Sequence, residues 1–133
     1  MISPSQKTKA LQFRQLHAGP SILVLPNAWD AASAGILERA GFLAIATTSS
    51  GGAAALGYPD GQQISRAMLI ESVERITRVV SYPVSVAMEA GYGDTIEEVL
   101  QTVKAIMTAG ADRTRTTRTS HFHEHDRGND FGS

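Results

Sequence analysis

The chain has 133 residues, 42% hydrophobic and 19% charged, and a net charge of −1 at pH 7. That length supports one small domain with a core of its own, and the net charge of −1 argues for no nucleic-acid or membrane-surface partner, whose electrostatic footprint would need clustered positive charge. There is no cysteine, which removes disulfides, thiolate metal sites and a cysteine nucleophile; no apolar run nears the ~20 residues of a membrane span, and the polar stretch Met1–Lys9 has no signal-peptide core, so a cytoplasmic protein is expected.

In chain order, Ser5–His17 predicts a helix with Ala10, Leu11, Phe13, Leu16 and His17 on one stripe, stopped by Ala18-Gly19-Pro20. Ser21–Leu25 is a short continuous apolar run, the pattern of a strand buried on both faces. After Pro26-Asn27-Ala28-Trp29, Asp30 is placed to cap a helix over Ala31–Ala40 that closes at Gly41. Phe42–Ala46 predicts a second buried strand, followed by a small-residue loop, Thr47–Gly52, and a turn at Tyr58-Pro59-Asp60-Gly61. A helix over Ser65–Val80 carries Met68, Leu69, Val73, Ile76, Val79 and Val80 on its apolar stripe.

Pro83 opens the third strand, Val84-Ser85-Val86-Ala87-Met88-Glu89, which breaks on Gly91-Tyr92-Gly93. Alternation places Ser85, Ala87 and Glu89 on one face and Val84, Val86 and Met88 on the other. A carboxylate that closes an apolar strand has a solvation cost unless it faces a mouth, so Glu89 is the candidate site acid. Asp60, judged on its turn alone, is an ordinary turn residue. The last helix, Thr95–Ala109, starts with a capping box of Thr95 and Glu98.

A helix followed by three βα units predicts an α/β fold with a parallel sheet, and the pattern leaves open whether that sheet is doubly wound or part of a (β/α)8 barrel. After Ala111 the aliphatic side chains stop. Residues 112–133 read as a disordered tail by composition, with no fourth strand. His121, His123 and His125 in the tail alternate and could bind Zn2+ or Ni2+ as one face of a strand; chance clustering is the weightier reading.

Four motifs, in this order, resemble the isocitrate lyase/phosphoenolpyruvate mutase superfamily, in its phosphonomutase and 2-methylisocitrate lyase-like branch. They are Leu25-Pro26-Asn27-Ala28-Trp29-Asp30-Ala31-Ala32-Ser33-Ala34, Thr47-Thr48-Ser49-Ser50-Gly51, Leu56-Gly57-Tyr58-Pro59-Asp60-Gly61 and Glu89-Ala90-Gly91-Tyr92-Gly93. The resemblance covers about Phe13 to Ala111 and implies a (β/α)8 barrel of which the N-terminal helix and three βα units are present (residues 1–111), followed by a tail outside the family (residues 112–133). It implies a Mg2+-dependent lyase or phosphonomutase that breaks or forms C–C or P–C bonds next to an α-keto acid, of the 2-methylisocitrate, oxaloacetate or phosphonopyruvate type, through an enolate. A hard cation would stabilise the enolate oxygen.

Carried over by resemblance, Asp60 and Glu89 are metal-site carboxylates; Thr48, Ser49, Gly51, Tyr92 and Gly93 contact substrate; and Trp29 and Asp30 match the loop after the first strand, although by its own residue type Trp29 reads as core or packing rather than contact. Ala87 stands where the family has the first acid of an Asp-x-Asp or Asp-x-Glu pair. The family's catalytic Lys or Cys loop and a later Arg have no counterpart in the sequence. The alternatives are therefore a catalytically inactive remnant and a small protein that binds metal through its histidines. With its sheet edges open, the folded chain is expected to form a homo-oligomer.

Overall fold

The computed structural model describes residues 3–116. The tail after Thr116, including His121, His123 and His125, lies outside the described residues. The elements are α1 (Pro4–Ala18), β1 (Asn27–Ala28), α2 (Ala31–Arg39), β2 (Ile45–Thr47), α3 (Ser49–Ala55), α4 (Arg66–Val79), β3 (Val84–Ala87), α5 (Ile96–Thr108) and β4 (Arg113–Arg115). None of the described helices is long and apolar enough to cross a membrane.

All strand pairs are parallel, in the order β1-β2-β3-β4. A doubly wound sheet reverses direction at a switch point after its first strands. This sheet adds each strand beside the previous one without reversal, which is the wall of a (β/α)8 barrel. The register pairs Asn27 with Ala46, Ala46 with Ser85, and Ser85 with Arg113. Those four residues share one face, while Ala28, Thr47, Val86 and Thr114 share the other.

The helix-facing side is the core. Ile45, Val84, Val86 and Met88 from the strands pack with Leu69, Val73 and Ile76 of α4 and Ile106 of α5 in one buried cluster. The α4 stripe is close to its sequence pattern, except that Val79 is exposed. In α1 only Phe13 is buried, and Leu11 is exposed. The caps fall where the sequence puts them. Asp30, Ser65 and Thr95 accept from the amides of Ser33, Met68 and Glu98, and the Thr95–Glu98 box is closed from both sides.

Three elements differ from expectation. The apolar run Ser21–Leu25 is not a strand; β1 is the two residues Asn27–Ala28, and Ile22 is 92% exposed. A strand forms only where a neighbour satisfies its backbone, and the described sheet offers β1 one neighbour, β2, which meets it only from Pro26 onwards, where the Pro26 carbonyl accepts from the Ala46 amide. The loop Thr47–Gly52 is instead the end of β2 followed by α3, with the Thr48 hydroxyl accepting from the Gly51 amide as its cap. And a fourth strand is present where composition predicts none. Arg113–Arg115 pair with Ser85–Ala87, the Arg115 carbonyl accepts from the Met88 amide, and the Val84 carbonyl accepts from the Asp112 amide.

Asp112 fastens the start of β4. It is buried, and its Oδ2 accepts from the Val84 amide at 3.0 Å, while Oδ1 has no partner among the described residues. Burial pushes its carboxyl above the ordinary aspartate range, against the Val84 amide and Lys9, which pull it down. A raised carboxyl stabilises the fold in its protonated form. That contribution is fully present below about pH 4, the unfolded value, and is lost as pH rises through the folded value. Asp112→Asn keeps an acceptor for Val84 and removes the titration. The variant is therefore expected to gain stability relative to the wild type as pH rises from 4 to 7 in urea titrations. A gap that stays flat or narrows would show that the Val84 amide and Lys9 together outweigh burial.

Candidate functional site at the carboxyl edge of the sheet

The strands end together at one edge, and each hands over to a turn that carries polar side chains. β2 ends at Thr47, whose hydroxyl accepts from the Ala87 amide at 2.9 Å and so closes the end of β3. Beyond Ala87 the backbone leaves strand geometry. Glu89, Gly91 and Tyr92 have φ of 55°, 102° and 57°, and the Gly91 amide donates to the Met88 carbonyl. A left-handed conformation is uncommon for residues other than glycine, and when two such residues persist in one turn the surroundings hold them there. The turn folds Glu89 back towards the sheet, and it is only 6% exposed.

The result is a cleft of about 30 Å³ that brings together Trp29, Thr48, Ser49, Ala87, Glu89 and Tyr92 above an apolar floor that includes Ile64, Leu69 and Val73. In volume it admits a water or two. Ala87 lines this cleft with Glu89, whereas Ser85, two residues earlier on β3, lines a separate cavity. Trp29, expected as packing, is 51% exposed on the rim. Tyr92 reaches in from the turn. Its hydroxyl is buried with no hydrogen-bond partner among the described residues, and burial, reinforced by the Glu89 carboxylate, pushes it up to about 12. Tyr92 is thus a protonated donor at neutral pH. The sequence supplied its position but not its burial, because the positive φ that turns it inward leaves no mark in composition.

The other sequence candidates sit elsewhere. Gly51 and Gly93 do not line the cleft but make close approaches beside it. A Cβ on Gly51 would meet Thr48 Cγ2 at 2.6 Å, and one on Gly93 would meet Glu98 Cβ at 2.4 Å. Asp60 is exposed and accepts from the Gly61 amide at 2.9 Å in its own turn. Among the described residues no three His, Cys, Asp or Glu side chains gather where a metal ion could be held. A Mg2+ site needs an octahedron of oxygen ligands, with at least one or two carboxylates and ligand oxygens beside its waters. The cleft presents Glu89 and, at the neighbouring strand position, the methyl group of Ala87. These residues do not fit Mg2+ unaided.

The comparisons with known proteins agree on the lineage. The family model described as phosphoenolpyruvate phosphomutase matches residues 13–114. The chain belongs to the phosphoenolpyruvate phosphomutase family. Its match to an uncharacterized protein of Mycobacterium tuberculosis is 38% identical over 100 residues, covering 75% of this chain and 38% of that protein. The 2-methylisocitrate lyase of Bacillus subtilis is 33% identical over 92 residues, 69% of this chain and 31% of the relative. Among solved structures, a candidate phosphonomutase from Burkholderia cenocepacia superposes with a TM-score of 0.75 at 45% identity, covering 77% of this chain and 42% of that one. The phosphoenolpyruvate phosphomutase of Streptomyces platensis subsp. rosaceus gives a TM-score of 0.70 at 29% identity, covering 79% of this chain and 36% of that one. The matched part of the chain thus spans about two-fifths or less of the length of these relatives. The family is one of lyases and mutases, and the matched region takes in all four described strands except the last residue of β4.

Proposed function

We propose that the chain carries one side of the substrate site of a lyase or mutase that breaks or forms a C–C or P–C bond next to an α-keto acid, and that on its own it binds such a ligand weakly without turning it over. The observation that carries the reading is the convergence of Thr48, Ser49, Glu89 and Tyr92 on one cleft at the carboxyl edge of the sheet. In parallel barrels this edge is where the chemistry sits. Support for the substrate class comes from the relatives, whose names include 2-methylisocitrate lyase, oxaloacetate decarboxylase and 2,3-dimethylmalate lyase.

In this reading the hydroxyls of Thr48, Ser49 and Tyr92 donate to the carboxylate of the keto acid. The Thr48 oxygen already accepts from the Gly51 amide, so its own hydrogen is available to a ligand. Tyr92 stays protonated beside Glu89, and together they form a donor–acceptor pair that can orient an enolising ligand. Gly51 and Gly93 serve the site by letting Thr48 and the turn approach closely. Asp60 and Glu89 remain candidate carboxylates for Mg2+. The absence of turnover follows from Ala87, which leaves the cleft one carboxylate short of a cation site, and from a volume far below the ~300 Å³ of ordinary ligand pockets. The folded chain associates through the open edges of β1 and β4, with a second copy or another half barrel.

The test restores the missing acid. Ala87→Asp, two residues before Glu89, is expected to tighten Mg2+ binding by about tenfold or more in calorimetry, since affinity follows the number of ligand charges. It also destabilises the fold, because Ala87 is 1% exposed and a carboxylate there is desolvated. Equal Mg2+ heats for the two folded proteins would show that the edge no longer forms the family's site. Turnover of 2-methylisocitrate or oxaloacetate by the wild-type chain would overturn the claim that it is inactive alone.

A further inference from the structure

The sheet face that carries Asn27, Ala46, Ser85 and Arg113 bears a second, separate cavity of about 280 Å³, whose lining includes Phe13, His17, Asn27, Ser85, Arg113 and Arg115. It shares no lining residue with the edge cleft. We propose that this cavity is a binding site for a small oxyanion, a phosphate or carboxylate group held between the guanidinium groups of Arg113 and Arg115.

Strand geometry places the two cations. Arg113 and Arg115 are two residues apart on β4 and therefore point to the same face, about 6.6 Å apart along the strand. Their register partners on β3 are Ser85 and Ala87, and one strand further Ser85 pairs with Ala46, which pairs with Asn27. The face thus runs from two guanidiniums through a hydroxyl and a methyl group to a side-chain amide. α1 supplies the wall: Phe13 lies under Arg113, with the guanidinium carbon 5.7 Å from the ring centroid, and His17 packs edge-on against Phe13 at 4.5 Å. The His17 Nδ1 bonds to the Phe13 carbonyl at 2.8 Å. A carbonyl only accepts, so Nδ1 carries the proton and the ring orientation is fixed.

Among the described residues the cavity has no counter-charge. Among the described residues no carboxylate lines it, and neither arginine is in an ion pair, the one such pair being Arg75 with Glu71 on the far surface of α4. The nearest acid in sequence, Asp112, is turned away and spent on the Val84 amide. Two like charges on one strand face repel each other, and an anion between them converts that repulsion into charge-assisted hydrogen bonds. Guanidinium groups make such bonds bidentate to phosphate and carboxylate alike. Phe13 holds Arg113 in place by its ring face, Ser85 and Asn27 add neutral donors, and both arginines are solvent-exposed, so a ligand can enter.

The test uses the full chain and calorimetric titration with inorganic phosphate and with malonate, against chloride at matched ionic strength. Saturable binding of phosphate or malonate, but not chloride, is expected, and the tighter of the two identifies the group as phosphate or carboxylate. Arg115→Gln replaces an exposed side chain and is expected to weaken binding about tenfold without changing the melting temperature in plain buffer. Arg113→Gln should weaken binding equally while also losing its contact with Phe13. Heats that are the same in the wild type and Arg115→Gln, or no saturable binding by folded wild type, would overturn the proposal. Neither readout needs turnover or a residue of the edge cleft, so failure here leaves the proposed function standing, and the reverse.

Discussion

Ile106→Ala is expected to cost about 2–5 kcal/mol of folding free energy, the range for truncating a fully buried aliphatic side chain. Ile106 is 0% exposed and is one of the largest fully buried side chains. It projects from α5 into the cluster formed by the strand residues Val84, Val86 and Met88 and the α4 residues Val73 and Ile76. The loss combines the transfer energy of the missing methyl groups with the cavity they leave, since α5 is held at its ends and cannot follow. Its first turn is fixed by the Thr95–Glu98 box, and its C-terminus by Gln6, whose side-chain amide donates to the Met107 carbonyl at 2.6 Å. A small domain has only about 5–15 kcal/mol in all, so the variant should shift the urea midpoint strongly or fail to fold at room temperature. Ile96→Ala is the matched control. The chemistry is the same, on the same helix, but Ile96 is 82% exposed, so the change should fall within about 0.5 kcal/mol of zero. A similar loss for both variants would mean that α5 is not docked on the sheet.

The contrast between Ile96 and Ile106 also marks where the sequence is informative. Helix periodicity identifies α4 and α5, and caps are local chemistry, so Asp30, Ser65 and Thr95 could be named from spacing alone. Strands are different, because their backbone hydrogen bonds go to a neighbour that the local sequence does not contain. Ser21–Leu25 has the composition of a buried strand, yet Val24 is 60% exposed because none of the described strands lies beside it. Arg113-Thr114-Arg115 has the composition of a solvated tail and is nonetheless a strand, because β3 offers a row of carbonyls and amides to pair with. The ladder does not depend on side chains, so composition misreads both. At the site, the motifs located Thr48, Ser49, Glu89 and Tyr92, which the fold does assemble. They did not separate these from Asp60, Gly51 and Gly93, because lining a cleft depends on positive φ values and close approaches that only coordinates reveal.

Gly91 is where those two features meet, and Gly91→Ala is expected to cost about 2–5 kcal/mol. At φ of 102° an L side chain is strained, by roughly 1–2 kcal/mol. A Cβ there would also meet both Val99 methyl carbons at 3.0 Å and Met88 Cε at 3.3 Å. Overpacking of this kind typically adds about 1–3 kcal/mol. The two causes can be separated by the double variant Gly91→Ala/Val99→Ala. Trimming Val99 removes the contact but leaves the dihedral strain, so the pair should be less destabilised than the sum of the single variants by about 1 kcal/mol or more. Strict additivity would mean that the backbone alone sets the cost. The turn also holds the cleft. Glu89 and Tyr92 flank Gly91 and are themselves at positive φ, so relieving strain at Gly91 by shifting the turn displaces the one carboxylate of the cleft and the buried hydroxyl beside it. Gly91→Ala should therefore lower the Tyr92 phenol from about 12 towards its ordinary value of about 10, as the ring gains solvent and moves away from Glu89, and an ultraviolet phenolate titration of the folded variant reads that shift directly. An unchanged titration would separate the rigidity of the turn from the geometry of the cleft.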